Sequence, residues 1–246
     1  MASRACRSVA EPDPRRLDGG RAAPGPARDR RDRLPLGLKI RRKEPRQRPS
    51  AVVLILHGGK PRSTAPVRVT SLAWLRMALM QEELAADLRE LGAASWLLRF
   101  GVRGWNGSAE GGPSPVIDAR RALDRVREDH PGVPVVLLGH SMGARTAIAV
   151  AGNPAVTGVV ALAPWIEPGD SDRHLAGRRL IAAHARADRV TSFGNTAAFV
   201  ERARTVARSA QMVDMGPLDH AMLRERRRWN EFAAGAVAEI IGSPTL

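Results

Sequence analysis

Val135-Val136-Leu137-Leu138-Gly139-His140-Ser141-Met142-Gly143-Ala144-Arg145 is the stretch on which the reading of this 246-residue chain turns. Its four leading apolar residues form too continuous a run for a strand with one wet face, and read as a strand buried on both sides. Gly139-x-Ser141-x-Gly143 follows without a spacer, and a helical segment opens beyond it. A serine hydroxyl is a poor nucleophile unless it is lifted clear of its backbone and handed to a base. A tight strand-to-helix turn lifts it, provided the flanking positions lack side chains. The helix start also presents unpaired N–H groups and a positive dipole end where an oxyanion would form. The Gly-x-Ser-x-Gly spacing is common by itself. Strand before and helix after make Ser141 a candidate nucleophile instead of a solvated turn serine.

Outward from this turn, apolar runs alternate with amphipathic stretches. Ala51–Leu56 reads as a second central strand running into His57-Gly58-Gly59-Lys60. A helix is expected from Leu72 to Leu91, ended by Gly92. Ala94–Phe100 is a strand that opens into a Gly-rich loop, and Ser114 with Pro115 starts a helix to His130. Val156–Leu162, Arg179–His184 and Gln211–Met215 are further strands, with a helix after Asn195 and a last one over Ala221–Ile241. Leu36–Ile40 is expected to add one short edge strand. This alternation predicts an α/β fold, a mostly parallel sheet of about six or seven strands with helices on both faces. Ligands of such sheets sit beyond the carboxyl ends of the strands, where Ser141, Asp188 and His220 all fall.

Charge and composition set the outer limits. The net charge is +14, yet residues 1–50 carry 15 Lys/Arg against 6 Asp/Glu, and the other 196 residues carry 24 against 19. Basicity is therefore concentrated in an Arg/Pro-rich tail over residues 1–34, expected to be disordered, ahead of one domain over residues 35–246. No aromatic-interleaved basic motif accompanies the charge, so no nucleic-acid partner is expected. The single cysteine, Cys6, excludes a disulfide framework and a cysteine-based metal cluster. No apolar run approaches the roughly 18–20 residues of a membrane span, and no secretory signal is evident. A cytoplasmic location is the expectation.

Ser141 needs a base, and six histidines compete. His140 lies inside the turn, His57 precedes two glycines and suits a loop-fixing role, His130 ends a helix, His174 is in a polar loop, and His184 lies within or at the end of a strand. His220 follows the last strand by a short Gly-Pro loop and is the expected general base. The base needs an anion behind it. Asp188, just past the preceding strand, completes a serine–acid–histidine chain order; Asp170, Asp172, Asp214 and Asp219 compete with it. Met142 supplies one oxyanion donor, and Gly59 or its neighbour Lys60 the second. Trp105 and Trp165 lie in loops at strand ends, placed either to wall a substrate pocket or to cap the core edge.

With these residues in hand, the chain resembles the α/β-hydrolase superfamily, and most of all its small single-domain members of the dienelactone-hydrolase or esterase type. The likeness runs from about Ala51 to Ile241 and rests on His57-Gly58-Gly59, Gly139-His-Ser-Met-Gly143, Asp188 and His220. It implies a nucleophilic serine, a two-step acyl-enzyme mechanism on a small-molecule acyl substrate, and neither cofactor nor metal. Carboxylic ester or thioester hydrolysis is the expected reaction; amide hydrolysis and a non-catalytic binding role are the alternatives. Three departures stand out. The family pattern has two more strands before the His-Gly loop. Dienelactone hydrolases proper use a cysteine nucleophile where this chain has Ser141. Only about a dozen residues separate Trp165 from Arg179, so no large lid is expected.

Overall fold

Two six-residue strands, the wholly apolar Ala51–Leu56 (β2) and Val135–His140 (β4), apolar as far as its closing Gly139-His140, lie side by side at the centre of a seven-stranded sheet. The protein is described here by a computed structural model, over residues 38–107 and 112–242. The tail expected over residues 1–34 lies outside the described residues. Around β2 and β4 the strand order is β1-β3-β2-β4-β5-β6-β7, with β1 at Lys39–Lys43, β3 at Ala93–Arg99, β5 at Val156–Leu162, β6 at Arg179–His184 and β7 at Ser209–Asp214. All neighbours are parallel except β1, which runs antiparallel to β3.

Alternation along β2 shows why its residues are all apolar. Val52, Leu54 and Leu56 join one core with helices α3 (Ser114–Asp129), α4 (Met142–Val150) and α5 (Phe193–Ala203). Ala51, Val53 and Ile55 join the opposite core with α1 (Leu72–Glu83), α2 (Ala85–Glu90) and α6 (Arg226–Ile241). Successive side chains point to opposite faces, so a strand covered on both sides has no position for a polar residue. The outer strands differ: β1 reads Lys-Ile-Arg-Arg-Lys and pairs its charges with Glu82 and Asp129. Charged side chains on an edge discourage pairing with another chain.

Several boundaries depart from the sequence expectations: the helix expected after Asn195 starts at Phe193, capped by Ser192, whose hydroxyl accepts the Asn195 N–H, and the last strand is Ser209–Asp214, not Gln211–Met215. The edge strand lies at Lys39–Lys43 instead of Leu36–Ile40, and residues 36 and 37 are outside the described range. The first long helix divides at Leu84, whose φ/ψ of −82°/−7° interrupts it while its side chain stays buried. The last helix begins at Arg226, not Ala221, because Met222 and Glu225 take φ values of +55° and +49° that a helix does not allow. His220 therefore sits in irregular backbone ahead of α6, anchored by the buried Leu218 and Met222 and by the Arg76 Nε–H donated to the Met222 carbonyl. Among the described residues no helix is long and apolar enough to cross a membrane.

Trp229 holds α6 against the sheet with its side chain wholly buried. Its truncation leaves a cavity that the surroundings refill only in part. Trp229→Ala is expected to lower the unfolding free energy by about 3–5 kcal/mol, measured by urea denaturation; a loss under 1 kcal/mol would refute the packing role.

Candidate active site

The turn after β4 is closed by contacts that exclude any side chain at its two glycines. A Cβ on Gly143 would lie 2.1 Å from the Leu56 carbonyl oxygen, and one on Gly139 would lie 2.5 Å from the backbone of Ala144. Helix α4 thus starts in backbone contact with the ends of β2 and β4. Between the glycines, Ser141 has φ +54° and ψ −118°, a region costly for a residue with a Cβ. It is held from both sides: its N–H donates to the Leu162 carbonyl at 3.0 Å, and its carbonyl accepts the Trp165 N–H at 3.2 Å.

This geometry aims the Ser141 hydroxyl at His220, with Oγ 3.0 Å from Nε2. On the other side of the ring, His220 Nδ1 lies 2.7 Å from Asp188 Oδ2. The three residues come from the ends of β4, β6 and β7, and the Asp188 side chain is wholly removed from solvent. Its Oδ1 accepts the Val190 and Thr191 N–H groups, and its Oδ2 also accepts the Thr191 hydroxyl. Burial alone would push this carboxyl's pKa up. Donors from His184, His220 and the Thr191 and Val190 amides outweigh burial and hold it well below the usual carboxylate range. Of the competing aspartates, Asp170 pairs with Arg145, Asp172 with Arg202 and Asp214 with Arg186, while Asp219 Oδ1 is buried and unpaired.

Two further histidines brace the site without touching the serine oxygen. His140 is buried, and burial, aided by the charge of His220 beside it, lowers its pKa to about 3. The neutral ring donates Nε2–H to the His220 backbone carbonyl at 2.9 Å, and the two rings lie 4.9 Å apart. His57 is likewise neutral, its pKa lowered to about 4 chiefly by burial. It donates Nδ1–H to the Gly58 carbonyl at 2.7 Å and accepts the Phe100 N–H on Nε2 at 3.2 Å. Its ring thereby ties the loop after β2 to the end of β3, as expected of a loop-fixing histidine.

That loop brings Gly59 against Met142, since a Cβ on Gly59 would lie 2.3 Å from Met142 Cε and 2.5 Å from the Arg103 carbonyl oxygen. The Lys60 N–H is committed to the Arg103 carbonyl at 2.8 Å. Of the two candidates for a second donor, Gly59 is left with its N–H unpaired among the described residues, as is Met142 at the first position of α4. Trp105 and Trp165 meet edge to face with ring centroids 6.0 Å apart, and both cover the guanidinium of Arg145 at 4.5 Å. Arg145 in turn pairs with Asp170. Between β5 and β6 there is loop and one short 3-10 turn, Arg173–Leu175, and no large lid.

Sequence reasoning did not link Thr191 or His184 to Asp188. The signals were present: Asp188-x-x-Thr191 has the spacing of a local side-chain turn, and His184 is a polar residue closing a largely apolar strand.

Two buried neutral histidines carry a pH consequence. In the unfolded chain they protonate near pH 6.5, but in the native state only near pH 4 for His57 and pH 3 for His140. The unfolded state thus binds more protons as pH falls below about 6.5, and native stability drops there and not above it. Urea denaturation at pH 7.5, 6.0 and 4.5 is expected to show a fall of several kcal/mol confined to the acidic side. A level profile down to pH 4.5 would refute the neutral assignments.

Comparison with known proteins gives a consistent placement. The model of the alpha/beta hydrolase family matches residues 52–243. A comparison with curated proteins gave no match. Among solved structures, an alpha-beta serine hydrolase homologue from Coxiella burnetii is similar at 20% identity and TM-score 0.62, over 82% of this chain and 92% of that one. A Xanthomonas campestris protein described as an a/b serine hydrolase without lid is similar at 19% identity and TM-score 0.62, over 85% and 93%. A thermophilic esterase from Thermogutta terrifontis, with butyrate bound, shares 17% identity at TM-score 0.61, over 82% and 89%. At these identities the likeness is one of fold. With the family model spanning most of the sequence, the chain belongs to the alpha/beta hydrolase family.

Proposed function

We propose that this protein is a serine hydrolase that cleaves a carboxylic ester or thioester through an acyl-enzyme on Ser141. The observation that carries the reading is the unbroken line of contacts from Ser141 Oγ through His220 to Asp188, at 3.0 and 2.7 Å. In the first half-reaction His220 Nε2 takes the hydroxyl proton as Oγ attacks the substrate carbonyl carbon. Asp188 holds the ring by Nδ1–H and stabilises the imidazolium. The oxyanion is met by the Met142 and Gly59 N–H groups, and on its collapse His220 gives the proton to the leaving alcohol or thiol. In the second half-reaction His220 takes a proton from water, hydroxide adds to the acyl carbon, and Ser141 leaves with that proton, releasing the acid. The butyrate held by the Thermogutta esterase is of the chemical class this reaction releases. The chemistry calls on no cofactor and no metal. Trp105 and Trp165, drawn together over Arg145 beside the nucleophile helix, are proposed to wall the substrate site.

Ser141→Ala is expected to abolish covalent labelling by a fluorophosphonate probe, and Asp188→Asn to lower kcat by roughly 10³–10⁴-fold, on p-nitrophenyl esters of graded chain length. Labelling that survives in the Ser141 variant would sink the assignment. Gly59→Ala places a Cβ against the Arg103 carbonyl, which as backbone cannot yield the way the Met142 side chain can. It is expected to cost about 10²-fold in kcat with KM little changed; wild-type kcat in this variant would remove Gly59 from the oxyanion site.

A further inference from the structure

Asp188 carries more donors than pairing with one histidine requires. Its Oδ2 faces His220 Nδ1 at 2.7 Å, the Thr191 hydroxyl at 2.7 Å, and Nε2 of a second histidine, His184, at 3.2 Å. Its Oδ1 takes two backbone N–H groups. A carboxylate offers about four lone-pair sites, so His184 is not there to rescue an unsatisfied charge. The His184 side chain has no solvent exposure, and both of its ring nitrogens have polar neighbours: Asp188 Oδ2 and the Thr191 hydroxyl at Nε2, the Thr196 hydroxyl at Nδ1. The Thr196 hydroxyl lies 2.8 Å from Nδ1. An anion 3.2 Å from Nε2 calls for a donor there, which places the proton on Nε2; the Thr196 hydroxyl is shared between Nδ1 and the Ser192 carbonyl at 3.3 Å.

We propose that His184 is a positioning residue for the Ser141–His220–Asp188 triad: its Nε2–H locks Asp188 Oδ2 in line with His220 Nδ1 and tempers the carboxylate's hold on the imidazolium. The inference rests on the hydrolase reading above. With Oδ1 pinned by backbone and Oδ2 by Thr191 and His184, the carboxylate cannot rotate out of line. A dipole aimed at Oδ2 also reduces the negative potential that His220 feels, which favours the neutral base. The groups facing His220 are Asp188, Thr191, Ser141 and the neutral His140 ring, with Arg76 held at the Met222 carbonyl nearby. Those facing His184 are Asp188, Thr191, Thr196 and the edge-on ring of Phe193, which Arg186 covers. His184 meets neither the serine nor the substrate, so its effect passes through Asp188.

Three variants separate positioning from mere filling of the β6–α5 interface. His184→Leu keeps bulk and loses the N–H. His184→Asn keeps a polar contact toward Thr196 but is too short to reach Asp188. His184→Gln returns an N–H near the Nε2 position. Two readouts are taken: kcat and KM on p-nitrophenyl butyrate from pH 5 to 9, and the proton resonance of His220 Nδ1–H. The Leu and Asn variants are expected to lose about 10-fold or more in kcat with KM within about twofold. Their acid limb of kcat/KM is expected to move up by about half a pH unit, with the Nδ1–H resonance displaced downfield. The Gln variant is expected to restore limb and resonance to the wild-type positions. An unmoved resonance in both the Leu and Asn variants, or an equal displacement in the Gln variant, would overturn the proposal. The resonance needs no turnover. A wild-type protein inert toward esters and fluorophosphonate would therefore strike the hydrolase reading, while the resonance still decides the role of His184.

Discussion

The backbone contact between the first turn of α4 and the ends of β2 and β4 is the constraint on which the site depends. Gly143 lies so close to the Leu56 carbonyl that a methyl group there would be 2.1 Å away. Gly139 is also closed to a side chain, by the Ala144 backbone at 2.5 Å. This approach forces Ser141 into a backbone conformation that costs of order 1–3 kcal/mol for a residue with a Cβ. Buried neighbours sustain it: Leu162 receives the Ser141 N–H, Trp165 donates to its carbonyl, and the core of both sheet faces holds the strands that supply these partners. Strain at the proposed nucleophile is thus carried by ordinary apolar packing elsewhere.

Around that turn, three buried histidines stand at the carboxyl ends of largely apolar strands. His57 follows β2, His140 closes β4 and His184 closes β6, and each is buried with at least one ring nitrogen paired. An unpaired polar group in such a position would cost about 1–3 kcal/mol, so each histidine also constrains the loop it bonds to. His57 fixes the Gly58-Gly59 loop beside Met142, His140 holds the His220 backbone, and His184 reaches Asp188. Loops from three strands are thereby tied together, and between β5 and β6 no large lid intervenes. The Trp105–Arg145–Trp165 cluster beside them is half-buried, with the Arg145 charge offset by Asp170.

Much of this was legible in the residues alone because strand and helix periodicity is local. Apolar runs at regular spacing specified a parallel sheet with helices on both faces. A parallel sheet collects the segments after its strands along one edge, which is why Ser141, Asp188 and His220 were readable as neighbours. What the sequence by itself left open were choices among near-equivalents: Asp188 among five aspartates, Gly59 or Lys60 as donor, the start of α6. These depended on contacts between residues far apart in the chain. Ser141 and His220 are 79 positions apart, and His220 and Asp188 are 32 apart. The Lys60 N–H is taken by the carbonyl of Arg103, on another loop. His184 and Asp188 are four positions apart, yet their bond depends on how the loop after β6 folds back over Thr191. Local pattern determined which segments meet; side-chain direction and hydrogen-bond pairing, set by packing across the whole fold, decided which atoms do.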